Sequence, residues 1–241
     1  LGNWPPQEKS FFKAWKVARN FCRGHVKAYR LIHRVYQSKG LVRPLVGIAH
    51  NLQAFQPCIP TLRNRFAACL RSRAYNFSFL KKLARQRSMD FIGINYYTRG
   101  LAETRSWSIS SLLLDNCQSN HSQLKKNSLG WDIYPQGLFQ ALLELKKFHL
   151  PVFILENGIC TADDNLRWEF ISGHLQALHQ AMLAGVEVLG YLYWSLIDNF
   201  EWDKGFGPRF GLAEVDYDTY KRTARGSAGK FAEVCKTGVL A

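Results

Sequence analysis

Apolar residues recur at three- and four-residue steps over residues 10–36: Phe12, Trp15, Ala18, Cys22, Val26, Tyr29, Ile32 and Tyr36. That spacing predicts one long amphipathic helix. Pro5 and Pro6 precede it, and Ser10 is a candidate cap. Residues 42–49 form an apolar run that predicts a strand, 62–86 a basic helix, and 89–97 a second strand ending in polar residues. Residues 99–128 are polar, Ser-rich and aperiodic, which predicts a long loop of the kind found at functional faces. A helix follows at about 135–148, a strand at 151–155, and a helix at 165–184 with Leu166, Phe170, Leu175, Leu178 and Met182 facing inward. Residues 186–194 predict a fourth strand and about 219–236 a last helix. No internal repeat or interdomain linker is visible.

The order is a helix and then strand–helix four times, which means a parallel α/β sheet. Each strand leads into polar or aromatic residues: His50-Asn51, Asn95-Tyr97, Glu156-Asn157 and Trp194-Ser195. Side chains gathered at the C-terminal ends of successive parallel strands characterise the (β/α)₈ barrel. Four strands are half of that barrel, and a complete one takes about 250 residues or more.

Charge divides the chain. Residues 1–89 hold 18 Lys and Arg against one acid, Glu8, whereas residues 90–241 hold 14 against 17. A basic half of this kind can bind nucleic acid or an anionic membrane. Here the charges fall singly or in pairs between apolar residues and no nucleic-acid motif accompanies them, which favours a solvated basic face. A third reading is that these charges face an acidic partner segment that is missing here. The six cysteines match no zinc or CxxC spacing and read as dispersed reduced thiols of a cytoplasmic protein. No run of 18 apolar residues predicts a transmembrane helix, and Leu1–Pro6 shows no secretion signal. Sequons at Asn76 and Asn120 read as chance matches.

The sharpest chemical signal is Glu156, in Pro151-Val152-Phe153-Ile154-Leu155-Glu156-Asn157-Gly158. A short apolar strand that ends in an acid and an Asn-Gly turn delivers a carboxylate to the mouth of a site. Such a group can act as nucleophile or base. Sugar-cleaving sites use two carboxylates, and residues 1–89 supply only Glu8.

Several motifs then occur in a telling order. They are Phe91-Ile92-Gly93-Ile94-Asn95-Tyr96-Tyr97-Thr98, Gly130-Trp131-Asp132-Ile133-Tyr134-Pro135, Leu155-Glu156-Asn157-Gly158, Tyr193-Trp194-Ser195-Leu196-Ile197-Asp198-Asn199-Phe200-Glu201-Trp202 and Arg209-Phe210-Gly211-Leu212. Together with Val17-Ala18-Arg19-Asn20 and His25-Val26-Lys27-Ala28-Tyr29-Arg30, the chain resembles the family 1 glycoside hydrolases, the retaining β-glucosidase and β-galactosidase group. The resemblance covers nearly the whole chain and corresponds to the C-terminal half of that family's catalytic domain.

The resemblance implies that residues 1–241 are one partial (β/α)₈-barrel domain lacking its N-terminal half. It makes Glu156 the nucleophile of a covalent glycosyl-enzyme intermediate and Tyr97 the phenol that orients it. Asn95, Trp194, Glu201, Trp202 and Phe210 become sugar contacts, and Trp131 the platform for the leaving group. Glu201 can accept two sugar hydroxyls, and the indoles can stack on a pyranose face. The Phe200-Glu201-Trp202 sequence argues against the 6-phospho-sugar branch. Leu155 stands where the family usually has Thr, and the stretch from Arg65 to Met89 is short for the family.

The family's acid/base lies in an Asn-Glu-Pro motif that residues 1–241 do not contain. The reading is a β-glucosidase-like retaining hydrolase of O-glycosidic bonds whose acid/base is absent from this chain. It needs no cofactor and no metal, acts on β-glucosides or related carbohydrates, and has no nucleic-acid or membrane partner. Self-association or pairing with the missing half is expected. The competing reading is a non-catalytic pseudo-glycosidase or a half-barrel that pairs with another chain.

Overall fold

The computed structural model describes residues 7, 8, 10–115, 117 and 122–240. The Asn120 sequon and the first six residues lie outside the described residues. Among the described residues, no helix is long and apolar enough to cross a membrane. The chain forms two compact units. One comprises residues 1–50, 55–92 and 101–120, the other 51–54, 93–100 and 121–241.

In the first unit, α1 runs Phe11–Ser38, and Ser10 caps it by accepting from the Lys13 amide at 3.3 Å. Ala18, Cys22, Val26 and Tyr29 of the predicted stripe are partly buried, whereas Phe12, Trp15, Ile32 and Tyr36 are exposed. α1 is tied down by Asp90. Tyr29 Oη and Arg43 Nη2 donate to its Oδ1, both at 2.8 Å, and His33 Nε2 and the Val46 amide lie 2.9 Å from its Oδ2.

That clamp corrects the expected strand at 42–49. Residues 41–48 form no ladder, because Pro44 has no N–H to offer and the Val46 amide is spent on a side chain. The first strand, β1, is Ala49–Pro57, so His50 and Asn51 sit near its start and not at its end.

The basic helix is three pieces in one path: α2 (Leu62–Arg71), a π-helical turn (Ser72–Phe77) and α3 (Ser78–Arg85). Asn76 of the sequon is buried in that turn. The strand expected to end at residue 97 is β2, Ile92–Ala102, and a short helix, α4 (Ile109–Leu114), occupies part of the expected loop. Buried Arg71 holds them, donating to the carbonyls of Leu112 (2.8 Å), Glu103 (2.8 Å) and Asp115 (2.7 Å). Ala67, Ala68, Ala102 and Leu112 pack beside it. Cys58 and Cys117 form a disulfide with Cα atoms 5.8 Å apart, which corrects the expectation of six reduced thiols; Cys22, Cys69, Cys160 and Cys235 are free.

The sheet has the order β1-β2-β3-β4, and the second unit holds β3 (Val152–Asn157) and β4 (Val188–Tyr193) whole. β3 and β4 are parallel, with Val152 opposite Val188 and Asn157 opposite Tyr193. Neighbours in sequence are neighbours in the sheet, the order of a sheet wound in one direction. α5 (Pro135–Leu145) and α6 (Asp164–Leu183) supply those crossovers.

α6 buries a rotated face: Arg167, Phe170, Ile171, His174, Ala177, Leu178 and Ala181 point inward and Met182 points out. Ile159, Phe170, Ile171, Tyr193 and Leu212 form the local core. The expected helix at 219–236 starts later, because an antiparallel hairpin of β5 (Ala213–Val215) and β6 (Arg222–Ala224) precedes α7 (Gly226–Thr237).

Candidate active site

The second unit places the carboxylate first. Glu156 is the penultimate residue of β3 and is half-buried. Asn157 beside it is fully buried and fixes the strand end. Its Nδ2 donates to the Tyr96 carbonyl at 2.6 Å, and its Oδ1 accepts from Tyr191 Oη at 2.7 Å. The next residue must be glycine, because a Cβ on Gly158 would lie 1.7 Å from the Trp194 carbonyl oxygen. The Trp194 amide in turn donates to the Asn157 carbonyl at 2.9 Å. The ends of β3 and β4 are thereby locked together, with Glu156 the penultimate residue of one and Trp194 directly following the other.

From the neighbouring β2, Tyr97 Oη donates to Glu156 Oε2 at 2.6 Å. Burial, the accepting carboxylate and the charges of Glu156 and Glu201 push ionisation of the Tyr97 phenol far above its ordinary range, so it stays a donor. Trp131 and Phe210 stand around it, with ring centroids 6.0 and 6.3 Å from Tyr97 and 6.4 Å from each other. Phe210 is buried and Trp131 is partly open to solvent.

Trp131 is presented by a built loop. Asn127 Oδ1 accepts from the amides of Leu129 and Trp131, both at 2.9 Å, and Gly130 takes φ +78° between them. The next residue, Asp132, is held by Arg99 Nε and Ser122 Oγ, each at 2.8 Å.

Beyond β4, a cis peptide joins Trp194 to Ser195. Trp194 Nε1 then donates to Glu201 Oε1 at 3.2 Å. The loop from Ser195 to Glu201 turns on Asp198, whose side chain is fully buried. Arg225 Nη2 (3.0 Å), Arg209 Nη1 (3.2 Å) and the Gly211 amide (2.8 Å) all donate to it. Burial alone would raise its pKa, but Arg225 and the Gly211 and Val215 amides outweigh that and hold it below the usual carboxylate range.

Of the expected site residues, Glu156, Tyr97, Trp131 and Phe210 form one cluster, and Trp194 and Glu201 form a hydrogen-bonded pair whose acid acts electrostatically on Tyr97. Asn95 lies on β2, two residues before Tyr97, with its Oδ1 buried and without a hydrogen-bond partner. An acceptor left unsatisfied in such a place is one that a ligand hydroxyl can complete. Trp202, at φ +50° and 74% exposed, projects into solvent.

Sequence reasoning passed over Asn157, Asp198, Arg209, Arg225 and Arg167. The last is fully buried, pairs with Asp164 at 2.8 Å and donates to the carbonyls of Thr161 and Arg209. Among the described residues, the histidine, cysteine and acid grouping with ligand-like geometry is Cys58, Glu103 and Cys117, where the two sulfurs are bonded to each other.

The model of glycosyl hydrolase family 1 matches residues 71–239. The β-galactosidase of Sulfolobus acidocaldarius is 30% identical over 97% of this chain and 50% of its own length. The chloroplastic galactolipid galactosyltransferase of Arabidopsis thaliana is 34% identical over 89% of this chain and 32% of its own. Among solved structures, a β-glycosidase from Pyrococcus horikoshii superposes with a TM-score of 0.89 at 37% identity, covering 100% of this chain and 57% of that one. A β-glucosidase from Pyrococcus furiosus gives 0.84 at 31% identity, over 99% and 50%. The chain spans about half the length of the β-galactosidases it matches, and its fold is the α/β half-barrel that the motif order implied. The family match over residues 71–239, together with these relatives, establishes that the chain belongs to glycosyl hydrolase family 1.

Proposed function

We propose that this chain carries the nucleophile-bearing part of a retaining β-glycosidase acting on β-glucosides or closely related β-glycosides. The observation that carries the reading is the 2.6 Å hydrogen bond from Tyr97 to Glu156, made beside the Trp131–Phe210 wall and within the electrostatic reach of Glu201.

In this reading Glu156 attacks the anomeric carbon and forms a glycosyl ester while an acid protonates the departing oxygen. Water then releases the sugar with retained configuration. Tyr97 holds the carboxylate in its attacking orientation. Glu201 accepts from the sugar hydroxyls and the Trp194 indole N–H donates to one of them, Asn95 completes its unsatisfied acceptor on another, and Trp131 and Trp202 offer faces for stacking. Residues 1–241 contain no Asn-Glu-Pro motif, so the proton comes from a segment outside them, with which this half-domain pairs. The reading invokes no nucleic-acid or membrane partner.

The test is complementation. Co-expression with the N-terminal half of the Pyrococcus horikoshii relative is expected to give hydrolysis of nitrophenyl β-glucoside. Glu156→Gln is expected to remove that activity while leaving the two halves associated. A Glu156→Gln complex as active as the parent would refute the assignment.

A further inference from the structure

The mechanism leaves the basic first unit unused. On α1, Lys16, Arg19, Arg23, Lys27, Arg30 and Arg34 follow one another at steps of three and four residues, which places them in one row along the helix. At 1.5 Å per residue the row is about 27 Å long. α1 contains no acid, and neither do α2, the π-turn or α3. None of the six is in an ion pair among the described residues. Asp90, the acid that anchors α1, is already taken up by Tyr29, His33, Arg43 and the Val46 amide.

Beside the row, α1 and α3 enclose a groove of about 780 Å³, lined by Arg19, Arg23, Lys27 and Arg30 from one side and Lys82 and Arg85 from the other. Arg19 Nε is buried there without a hydrogen-bond partner. At one end stands Trp15, half exposed, with the Arg19 guanidinium 5.0 Å and the Lys82 ammonium 6.0 Å from its ring. Packing this many like charges around a groove costs self-repulsion, and an anion in the groove relieves it.

We propose that the α1–α3 groove binds a linear sulfated polysaccharide, with sulfates along the α1 row and a sugar ring against Trp15. Four of the six row cations are Arg, whose planar fork suits tetrahedral oxyanions. A single-stranded nucleic acid needs successive aromatic platforms for its bases, and this groove has one, at its end. A bilayer meets cations spread over a plane, whereas these line the two walls of one groove. A pyranose ring needs one aromatic face, which is what Trp15 provides.

The test uses the whole chain and a heparin octasaccharide, titrated at 50 and 200 mM salt. The triple variant Arg23→Gln, Lys27→Gln, Arg30→Gln changes exposed side chains and is expected to weaken binding at least 30-fold, with the salt slope reduced by about one per lost contact. A control triple of equal charge, Lys221→Gln, Arg222→Gln, Lys236→Gln, is expected to stay within twofold of the parent. A footprint on the unmodified protein makes the same test without substitution: heparin is expected to shield Lys16, Lys27 and Lys82 from acetylation but not Lys221 or Lys236. Equal weakening by both triples, or uniform shielding, would mean net charge alone and overturn the site. Single-stranded DNA binding as tightly as heparin at equal charge, or phosphatidylserine vesicles binding where heparin does not, would overturn the occupant.

Discussion

Tyr97 and Glu156 are 59 residues apart in sequence and 2.6 Å apart in space. One arrives on β2 and the other on β3, so their meeting reports the strand order directly. A phenol that donates to a carboxylate fixes which way its lone pairs face. A hydrogen bond to a charged acceptor contributes about 1.5–3 kcal/mol, or roughly 10- to 100-fold in a rate that depends on it.

The first prediction uses a reagent that traps the nucleophile. Dinitrophenyl 2-fluoro-β-glucoside is expected to label Glu156, and digestion followed by mass spectrometry locates the adduct. Tyr97→Phe is expected to slow labelling roughly 10- to 100-fold without moving it. An adduct on another carboxylate of the parent chain would sink the assignment.

The second prediction concerns Asp198, which organises the loop carrying Trp194 and Glu201. Its side chain is buried against Arg225, itself only 10% exposed. Asp198→Ala removes the carboxylate and leaves a buried guanidinium uncompensated, a change that costs about 3–5 kcal/mol. Asp198→Asn, which keeps an acceptor for the Gly211 amide, is expected to cost less. Urea denaturation followed by tryptophan fluorescence measures both, and equal stabilities of parent and Ala variant would refute the role.

The third prediction concerns pH. His174 is fully buried on α6, stacked on Phe170 at 3.8 Å, with its Nδ1 2.8 Å from the Phe170 carbonyl oxygen. Burial depresses its pKa from 6.5 to about 4. Between those values the unfolded chain binds the proton and the folded chain does not, so stability rises with pH. The stabilisation is fully present above pH 6.5 and is lost at about 1.4 kcal/mol per unit below it, the loss reaching about 3 kcal/mol by pH 4. His174→Gln, which cannot titrate, is expected to lack that slope. Urea unfolding at several pH values compares the two chains, and parallel curves would mean that His174 does not govern this window.

What the sequence made legible follows from locality. Glu156 could be read because an apolar β-strand and an Asn-Gly turn are contiguous signals, and the half-barrel because strands and helices alternate. Asp198 could not, because its meaning depends on Arg209 and Arg225, 11 and 27 residues away, and an isolated Asp in a loop reads as solvated. Arg167 and His174 were missed for a related reason: both are polar on a face assigned by apolar periodicity, and each is accommodated by a backbone carbonyl that a pattern does not reveal. Residues 42–48 misled in the opposite sense. Their apolar run resembles a strand, but a tertiary contact from Asp90 takes the Val46 amide.

The last prediction separates attack from protonation. If Glu156 is a nucleophile and residues 1–241 hold no general acid, the cost of the missing proton depends on the leaving group. General-acid help contributes typically about 10²–10⁴-fold, and it matters least where the departing oxyanion is already stable. The chain alone is therefore expected to release dinitrophenolate slowly from dinitrophenyl β-glucoside and to show no measurable turnover of methyl β-glucoside. Supplying the N-terminal half is expected to raise the rate for the alkyl glucoside by the larger factor. Glu156→Gln is expected to abolish both, since the attack itself is lost. Stopped-flow absorbance for the phenolate and a coupled glucose assay for the alkyl substrate give the two rates. A chain that hydrolysed both substrates with equal ease would contain its own acid, and the division of labour proposed for it would fail.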